Sequence, residues 1–206
     1  FSAASARQKL GVAPDPPSAY TLQAMTETAP PTRPIAASPR VALVRLTSYD
    51  PGAVAEAMAA VLAPLGGMGA FVRPGMRVVL KPNLLLPSAP ERAVCTHPEI
   101  LRAAARAARA CGAAVVELTD SPGVGTAARC ARRLGLSAGE PFAILDADEG
   151  IDVAPPGASF HRLRLIRRLC EAETIINLPK AKTHGQMVMT AAVKNSFGAV
   201  VGMEKS

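Results

Sequence analysis

From Thr174 to Ser206 the chain reads TIINLPKAKTHGQMVMTAAVKNSFGAVVGMEKS, and this is where its side chains are best equipped for chemistry. Ile175 and Ile176 lead into Asn177, after which Lys180, Lys182, His184, Lys194, Asn195 and Lys205 share the segment with one carboxylate, Glu204. A lysine is a point cation with three donors, an asparagine both donates and accepts, and a histidine changes charge near neutral pH. Together they suit a phosphate, a carboxylate or a developing oxyanion. On charge alone such a run reads as a solvated loop. Its punctuation argues otherwise: Pro179 and Gly185 break up the lysines, and NSFGAVVG at 195–202 is too apolar and glycine-marked for a tail that only faces water.

Such groups need elements to hold them. Short β-branched or apolar runs predict strands at 41–46 (VALVRL), 76–81 (MRVVLK), 114–119 (AVVELT), 142–145 and 174–178. Helical spacing predicts helices at 51–65, with Pro51 in the first turn, at 97–111, closed by Gly112, and at 126–134. Residues 160–165 alternate like an edge strand, and 166–172 predict a short helix. Strands that lack period-2 alternation and are separated by helices imply an α/β fold: a mostly parallel sheet with crossover helices on both faces, in a Rossmann-like three-layer arrangement. Ligands of such sheets bind beyond the carboxyl ends of the strands. The polar residues fall there, with Lys81 and Asn83 after one strand, Asp120 and Ser121 after another, and Asn177 and Lys180 after a third.

Length and an apolar share of 49% fit one domain with a sizeable core, taken to span residues 39–206. Residues 1–38 are rich in Pro, Ala, Ser and Thr without apolar periodicity and are expected to be disordered, with Met25 a candidate start of translation. A net charge of +7 raises the question of nucleic acid, but aromatic residues make up only 3% of the chain and Trp is absent, so base-stacking platforms are scarce and no nucleic-acid partner is expected. Cys95, Cys111, Cys130 and Cys170 form no CxxC pair, which leaves no signal for a metal or iron–sulfur site within these residues. No apolar run reaches membrane-span length and no export signal opens the chain, so the expected location is cytoplasmic, with no membrane partner.

Three constellations remain. Lys81-Pro82-Asn83 sets a cation and an amide at a strand end, where Pro82 is expected to stop the ladder. Cys95-Thr96-His97-Pro98 precedes a helix that Thr96 or His97 would cap. Asp120-Ser121-Pro122-Gly123-Val124-Gly125 has two readings. Gly123, Gly125 and Ala128 fit the G-x-G-x-x-A dinucleotide fingerprint, with Asp146 placed for a ribose. Against it, Asp120 stands where it would repel a pyrophosphate, and pairing with a lysine, metal binding or proton transfer suits it better.

Taken in order, KPNLL at 81–85, THPE at 96–99, TDSPG at 119–123, INLPKAKTH at 176–184 and KNSFG at 194–198 resemble the domain-of-unknown-function-362 family, from about Val41 onward. The resemblance implies that this chain corresponds to the N-terminal part of a longer, C-terminally truncated domain. Many relatives carry a ferredoxin-like segment with two four-iron clusters beyond that part, and the resemblance therefore implies a redox association, with a redox partner or clusters outside residues 1–206. Lys81, Asn83, Thr96, Asp120, Ser121, Asn177, Lys180, Lys182, His184, Lys194 and Asn195 are the positions that share the family's motifs.

The expectation is an enzyme-like domain that binds an anionic small molecule or cofactor. Lys81, Lys180, Lys182 and Lys194 would hold the anion, Asn83, Asn177 and Asn195 orient it, Thr96 and Ser121 complete the binding set, and Asp120 and His184 form the proton-transfer pair. The alternatives are a dinucleotide-dependent oxidoreductase using the loop of Gly123 and Gly125, and a non-enzymatic electron-transfer or scaffold module whose basic cluster docks an acidic partner.

Overall fold

The computed structural model describes residues 40–154, 162–185 and 188–202. The expected disorder of residues 1–38 and the candidate start at Met25 lie outside them. Helix α1 (Pro51–Leu62) opens the regular structure. Asp50 Oδ1 accepts from the N–H groups of Gly52 and Ala53, and Pro51 occupies the first turn, where its missing N–H costs nothing. Strand β1 (Arg77–Pro82) is followed by α2 (Pro98–Ala110), β2 (Val115–Thr119), α3 (Ala127–Arg133) and β3 (Ala143–Leu145). A hairpin of β4 (Gly150–Val153) and β5 (Leu163–Ile166) comes next, then α4 (Arg167–Cys170) and β6 (Thr174–Leu178). A second hairpin, β7 (Lys182–His184) and β8 (Val188–Thr190), leads into α5 (Ala192–Ser196) and the turn Phe197–Ala199.

The main sheet is parallel with strand order β3-β2-β1-β6. The chain therefore grows outward from β1 to β3 and crosses back to place β6 on the other side of β1. This switch of direction puts the C-terminal ends of β1, β2 and β6 around one crevice. Alternation along β1 divides the core. Val78 and Leu80 pack with Val116, Leu118, Leu101 and the alanines of α2 and α3, while Val79 turns to the opposite face against Ile166 and Leu169. The first face carries full helices. The second carries β5 and the four-residue α4, so the three-layer α/β arrangement holds with unequal layers.

Three expectations change. Residues 41–46 form no strand, and Val41 and Leu43 are exposed; β-branched residues favour a pleated, half-buried surface, and here no strand edge pairs with them. Pro82 does not stop β1 but is its last residue, in register with Leu178, because a terminal strand position tolerates a missing donor. The alternating run at 160–165 is realised as β5, which pairs antiparallel with the unanticipated β4 rather than edging the main sheet; residues 155–161 lie outside the described set.

His97, not Thr96, caps α2. Its Nδ1 accepts the Glu99 N–H at 3.3 Å, and its ring stacks on Tyr49 with centroids 3.6 Å apart. Burial lowers its pKa below the ordinary 6.5; Glu99 and Glu91 pull it back up, and Lys180 and Arg102 press it further down. As pH falls, the unfolded chain takes up this proton first. The cap's contribution is thus present above about pH 6.5 and fades as pH drops through the folded-state value. His97→Asn, which retains capping ability, should keep stability near neutrality and reduce the fall in urea midpoint between about pH 7 and pH 5; an unchanged fall would assign the acid sensitivity to another group.

Candidate functional site

Lys81 is the last lysine one expects to find inside. It sits on the face of β1 shared with Val79, and only 2% of its surface is exposed. Its Nζ donates to Asp120 Oδ1 at 2.5 Å and to the Pro82 carbonyl at 3.1 Å. Asp120 follows β2 directly, and its carboxylate also accepts the N–H of Leu84 at 2.8 Å and of Ser121 at 2.9 Å. Burial pushes the Lys81 ammonium below the ordinary lysine range, and the Asp120 charge and hydrogen bond pull it back. Two backbone N–H groups and an ammonium thus converge on the Asp120 carboxylate. The expected pairing of Asp120 with a lysine is therefore found, with Lys81 as the partner.

Gly198 closes over this pair. A Cβ at residue 198 would collide with Asp120 Oδ1 and come within 2.6 Å of Lys81 Nζ, so only a bare backbone fits. The Gly198 carbonyl accepts from the Ser121 N–H at 3.0 Å. Asn195 fastens the same segment to the strand ends: its Nδ2 lies 3.2 Å from the Lys81 carbonyl, 3.1 Å from that of Pro82 and 2.7 Å from Asn177 Oδ1. Asn177 Nδ2 donates in turn to the Ala192 carbonyl at 3.1 Å. The sequence KNSFG is thus a clamp and a lid on the buried pair.

Above the lid lies a cleft of about 230 Å³. Of the sequence-predicted residues, Asn83, Ser121, Lys180, Lys182, Lys194 and Asn195 line it, as do Asp120 and His184. Lys81, Thr96 and Asn177 do not. Thr96 is buried and bridges β1 to β6, accepting the Asn83 N–H at 2.9 Å and donating to the Leu178 carbonyl at 2.6 Å. Lys182 spends two of its three N–H groups on Asn83 Oδ1 at 2.9 Å and the Val94 carbonyl at 2.6 Å. Burial lowers its pKa; Cys95 opposes the shift, and the nearby Lys180 and Lys194 add to it. Lys180 lies 5.9 Å from the Tyr49 ring centroid and Lys194 5.1 Å from that of Phe197, within cation–π range.

Two residues that position the site escape sequence reasoning. Thr190 is buried and its hydroxyl lies 3.0 Å from the Lys180 carbonyl and 3.3 Å from that of Lys182, so it sets the path of the lysine strand; nothing local marks it, since its partners are on the other arm of a hairpin. Gly198 stands inside a recognised motif, and a glycine after Phe197 was the available signal for a close approach.

The glycine loop before α3 is engaged within the chain. The N–H groups of Gly123 and Val124 donate to the Leu85 carbonyl at 3.0 and 3.2 Å. Asp146 Oδ1 accepts the Ala128 N–H at 2.7 Å and Thr126 Oγ1 that of Arg129 at 3.2 Å, so the start of α3 already carries its acceptors. The thiols are equally unsuited to a cluster: Cys95 and Cys130 are buried, Cys170 is exposed on α4, and burial pushes Cys130 up to about 12. The described residues do not fit a four-iron site, and among them no group of three or more His, Cys, Asp or Glu is placed to hold a metal ion. No helix among the described residues is long and apolar enough to cross a membrane.

Removing one partner of a buried ion pair strands the other charge. Lys81→Met and Asp120→Asn should each cost about 3–5 kcal/mol in urea unfolding, with the double substitution costing less than the sum. Additive losses would mean that the pair does not act as a unit. Gly198→Ala should destabilise as well, by displacing the lid.

The family model described as "Domain of unknown function (DUF362)" matches residues 78–206, which take in all five motifs but not the stretch from about Val41 that the resemblance included. The "Thylakoid-associated protein sll1697" of Synechocystis sp. (strain ATCC 27184 / PCC 6803 / Kazusa) is 40% identical over 169 residues, covering 81% of this chain and 52% of that protein. The chain thus spans about half the length of the curated relative it matches. No solved structure matches it. With the family model matching more than half of its residues, and the family's motifs assembled around one cleft, the chain belongs to the domain-of-unknown-function-362 family.

Proposed function

We propose that the domain is an enzyme-like α/β module that binds a small anionic molecule or cofactor beyond the C-terminal ends of β1, β2 and β6. The observation that carries this reading is the charge of the cleft. Lys180, Lys182 and Lys194 line it, while Asp120, the one carboxylate among its described lining residues, is neutralised by Lys81. Gathering ammonium groups in a half-buried cleft is costly unless an anion joins them. Lys182 is the central ligand, its third N–H being the one left after Asn83 and Val94 are served. Lys180 and Lys194 hold the anion from the rim, and Asn83 and Ser121 orient it.

In this reading Lys81, Thr96, Asn177 and Asn195 position the site instead of holding the anion directly. Asp120 and His184 line the same cleft and form the candidate pair for moving a proton to and from the bound molecule. A redox role needs electrons from an iron–sulfur segment or a redox partner outside the residues described, and it rests on the family resemblance.

The dinucleotide reading draws less support, because the amides and helix start it needs already have acceptors. The scaffold reading draws less as well, since Lys182 is withdrawn from the surface that an acidic protein would meet. The four free thiols accord with the cytoplasmic location expected from the sequence. The relative's name records association with thylakoids; among the described residues of this chain no helix is long and apolar enough to cross a membrane.

Calorimetric titration of the full chain with inorganic phosphate should show saturable binding that Lys182→Met weakens about tenfold or more, the scale of one charge-assisted hydrogen bond. Affinity should also fall as pH rises toward the lowered Lys182 pKa, at a pH below that of an ordinary lysine near 10.5. Equal affinity in the variant would contradict the assignment. Saturable NADH binding abolished by Gly125→Val would favour the dinucleotide reading.

A further inference from the structure

Three lysines line the cleft, and the amine of one is held in a way that suits it to bond formation. Lys182 Nζ donates to Asn83 Oδ1 at 2.9 Å and to the Val94 carbonyl at 2.6 Å. Both acceptors are neutral, whereas the buried Lys81 has the Asp120 carboxylate. Neither bond requires the ammonium form, because a neutral amine still has two N–H groups to give. When a proton leaves, both bonds remain and the lone pair takes the third position on nitrogen. Burial is the chief cause that lowers the Lys182 pKa; Cys95 opposes it, and Lys180 and Lys194 add to it. Desolvation beside other cations is the setting in which lysine amines become nucleophiles.

The surroundings select the electrophile. Asn83, which grips the nitrogen, and Lys180 and Lys194, whose charges bear on it, all line the cleft with Lys182. Their charge draws an anionic group, and a space of about 230 Å³, below the range of about 300–1,000 Å³ usual for ligand pockets, restricts it to a few carbons. Resting on the anion-binding reading above, we propose that Lys182 forms an imine with a short aldehyde or ketone bearing a carboxylate or phosphate, whose anionic end Lys180 and Lys194 hold. The step involves no oxidation or reduction. The ammonium passes one proton to His184, which lines the same cleft. The lone pair then makes the C–N bond while the carbonyl π pair moves to oxygen. That oxygen takes one hydrogen from nitrogen and the proton back from His184, and leaves as water. A protonated imine remains, with the positive charge of the original ammonium.

Reductive trapping tests the step. The full chain is treated with glyoxylate, a two-carbon aldehyde with a carboxylate, and sodium cyanoborohydride near neutral pH, and the rate at each lysine is read by peptide mass spectrometry. Lys182 should be modified about tenfold or more faster than Lys180 and Lys194, because a bound carbonyl meets a fixed amine at raised effective concentration. Inorganic phosphate should slow that reaction. Asn83→Asp, similar in shape, sets a carboxylate beside the nitrogen and holds it as ammonium, so the Lys182 preference should fall about tenfold or more. Equal rates at the three lysines, or a preference undiminished in a folded Asn83→Asp, would overturn the inference; saturable phosphate binding in the same chain would leave the anion site standing. A Lys182 preference that phosphate does not slow would overturn the anion-binding reading instead. Should Asn83→Asp fail to fold, the rates in the unaltered chain decide.

Discussion

A lysine and an aspartate sealed together at the end of a parallel sheet set the terms for everything around them. Lys81 and Asp120 are 2% and 3% exposed, and burying two charges costs several kcal/mol apiece unless the geometry and the remaining hydrogen bonds are good. The chain meets that demand from several directions. Asp120 takes N–H groups from Leu84 and Ser121, Lys81 gives a hydrogen to the Pro82 carbonyl, and Gly198 brings bare backbone against both. Because β1 and β2 are adjacent and parallel, a lysine one residue before the end of the first and an aspartate just after the second come side by side.

Neutralising Asp120 has a consequence for the cleft above. Left alone, that carboxylate would offset one of the three lining lysines and stand against any anion. Paired with Lys81, it becomes a fixed dipole in the floor, and the lysines of the β7–β8 hairpin and of α5 set the sign of the field. Thr190 and Asn195 then play parallel parts. One fixes the course of the strand carrying Lys182, and the other fixes the start of the lid carrying Lys194. The motifs of the family read as parts of one device: KPN and TDS supply the floor, PKAKTH the charged wall and KNSFG the lid.

Much of this was legible in the sequence, for identifiable reasons. The four strands of the main sheet follow from short apolar runs, those of β1 and β2 buried on both faces, and α2 and α3 from caps and glycine stops that are local signals. Placing Lys81, Asp120 and Asn177 at one end of the sheet followed from topology alone. What was not legible depends on partners remote in sequence. Residues 41–46 have strand composition but no strand edge to pair with. Lys81 and Lys182 look alike as residues, yet one is buried under Gly198 and the other reaches the cleft, a distinction made by contacts 117 and 99 positions away. Asn195 was read as a residue for orienting substrate, and its amide nitrogen proves to hold the strand ends together, because a backbone that stops pairing leaves carbonyls in need of donors.

The central claim is that one cleft, with its carboxylate neutralised from beneath, is an anion site. Amide and lysine side-chain NMR of the full chain, followed while inorganic phosphate is added, tests this most directly. The account predicts saturable shifts at Ser121, Lys180, Lys182 and Lys194 with one common affinity, while signals of the exposed arginines on α3 move little. Shifts that never saturate, or that spread evenly over the basic surface and pass over the cleft, would contradict it.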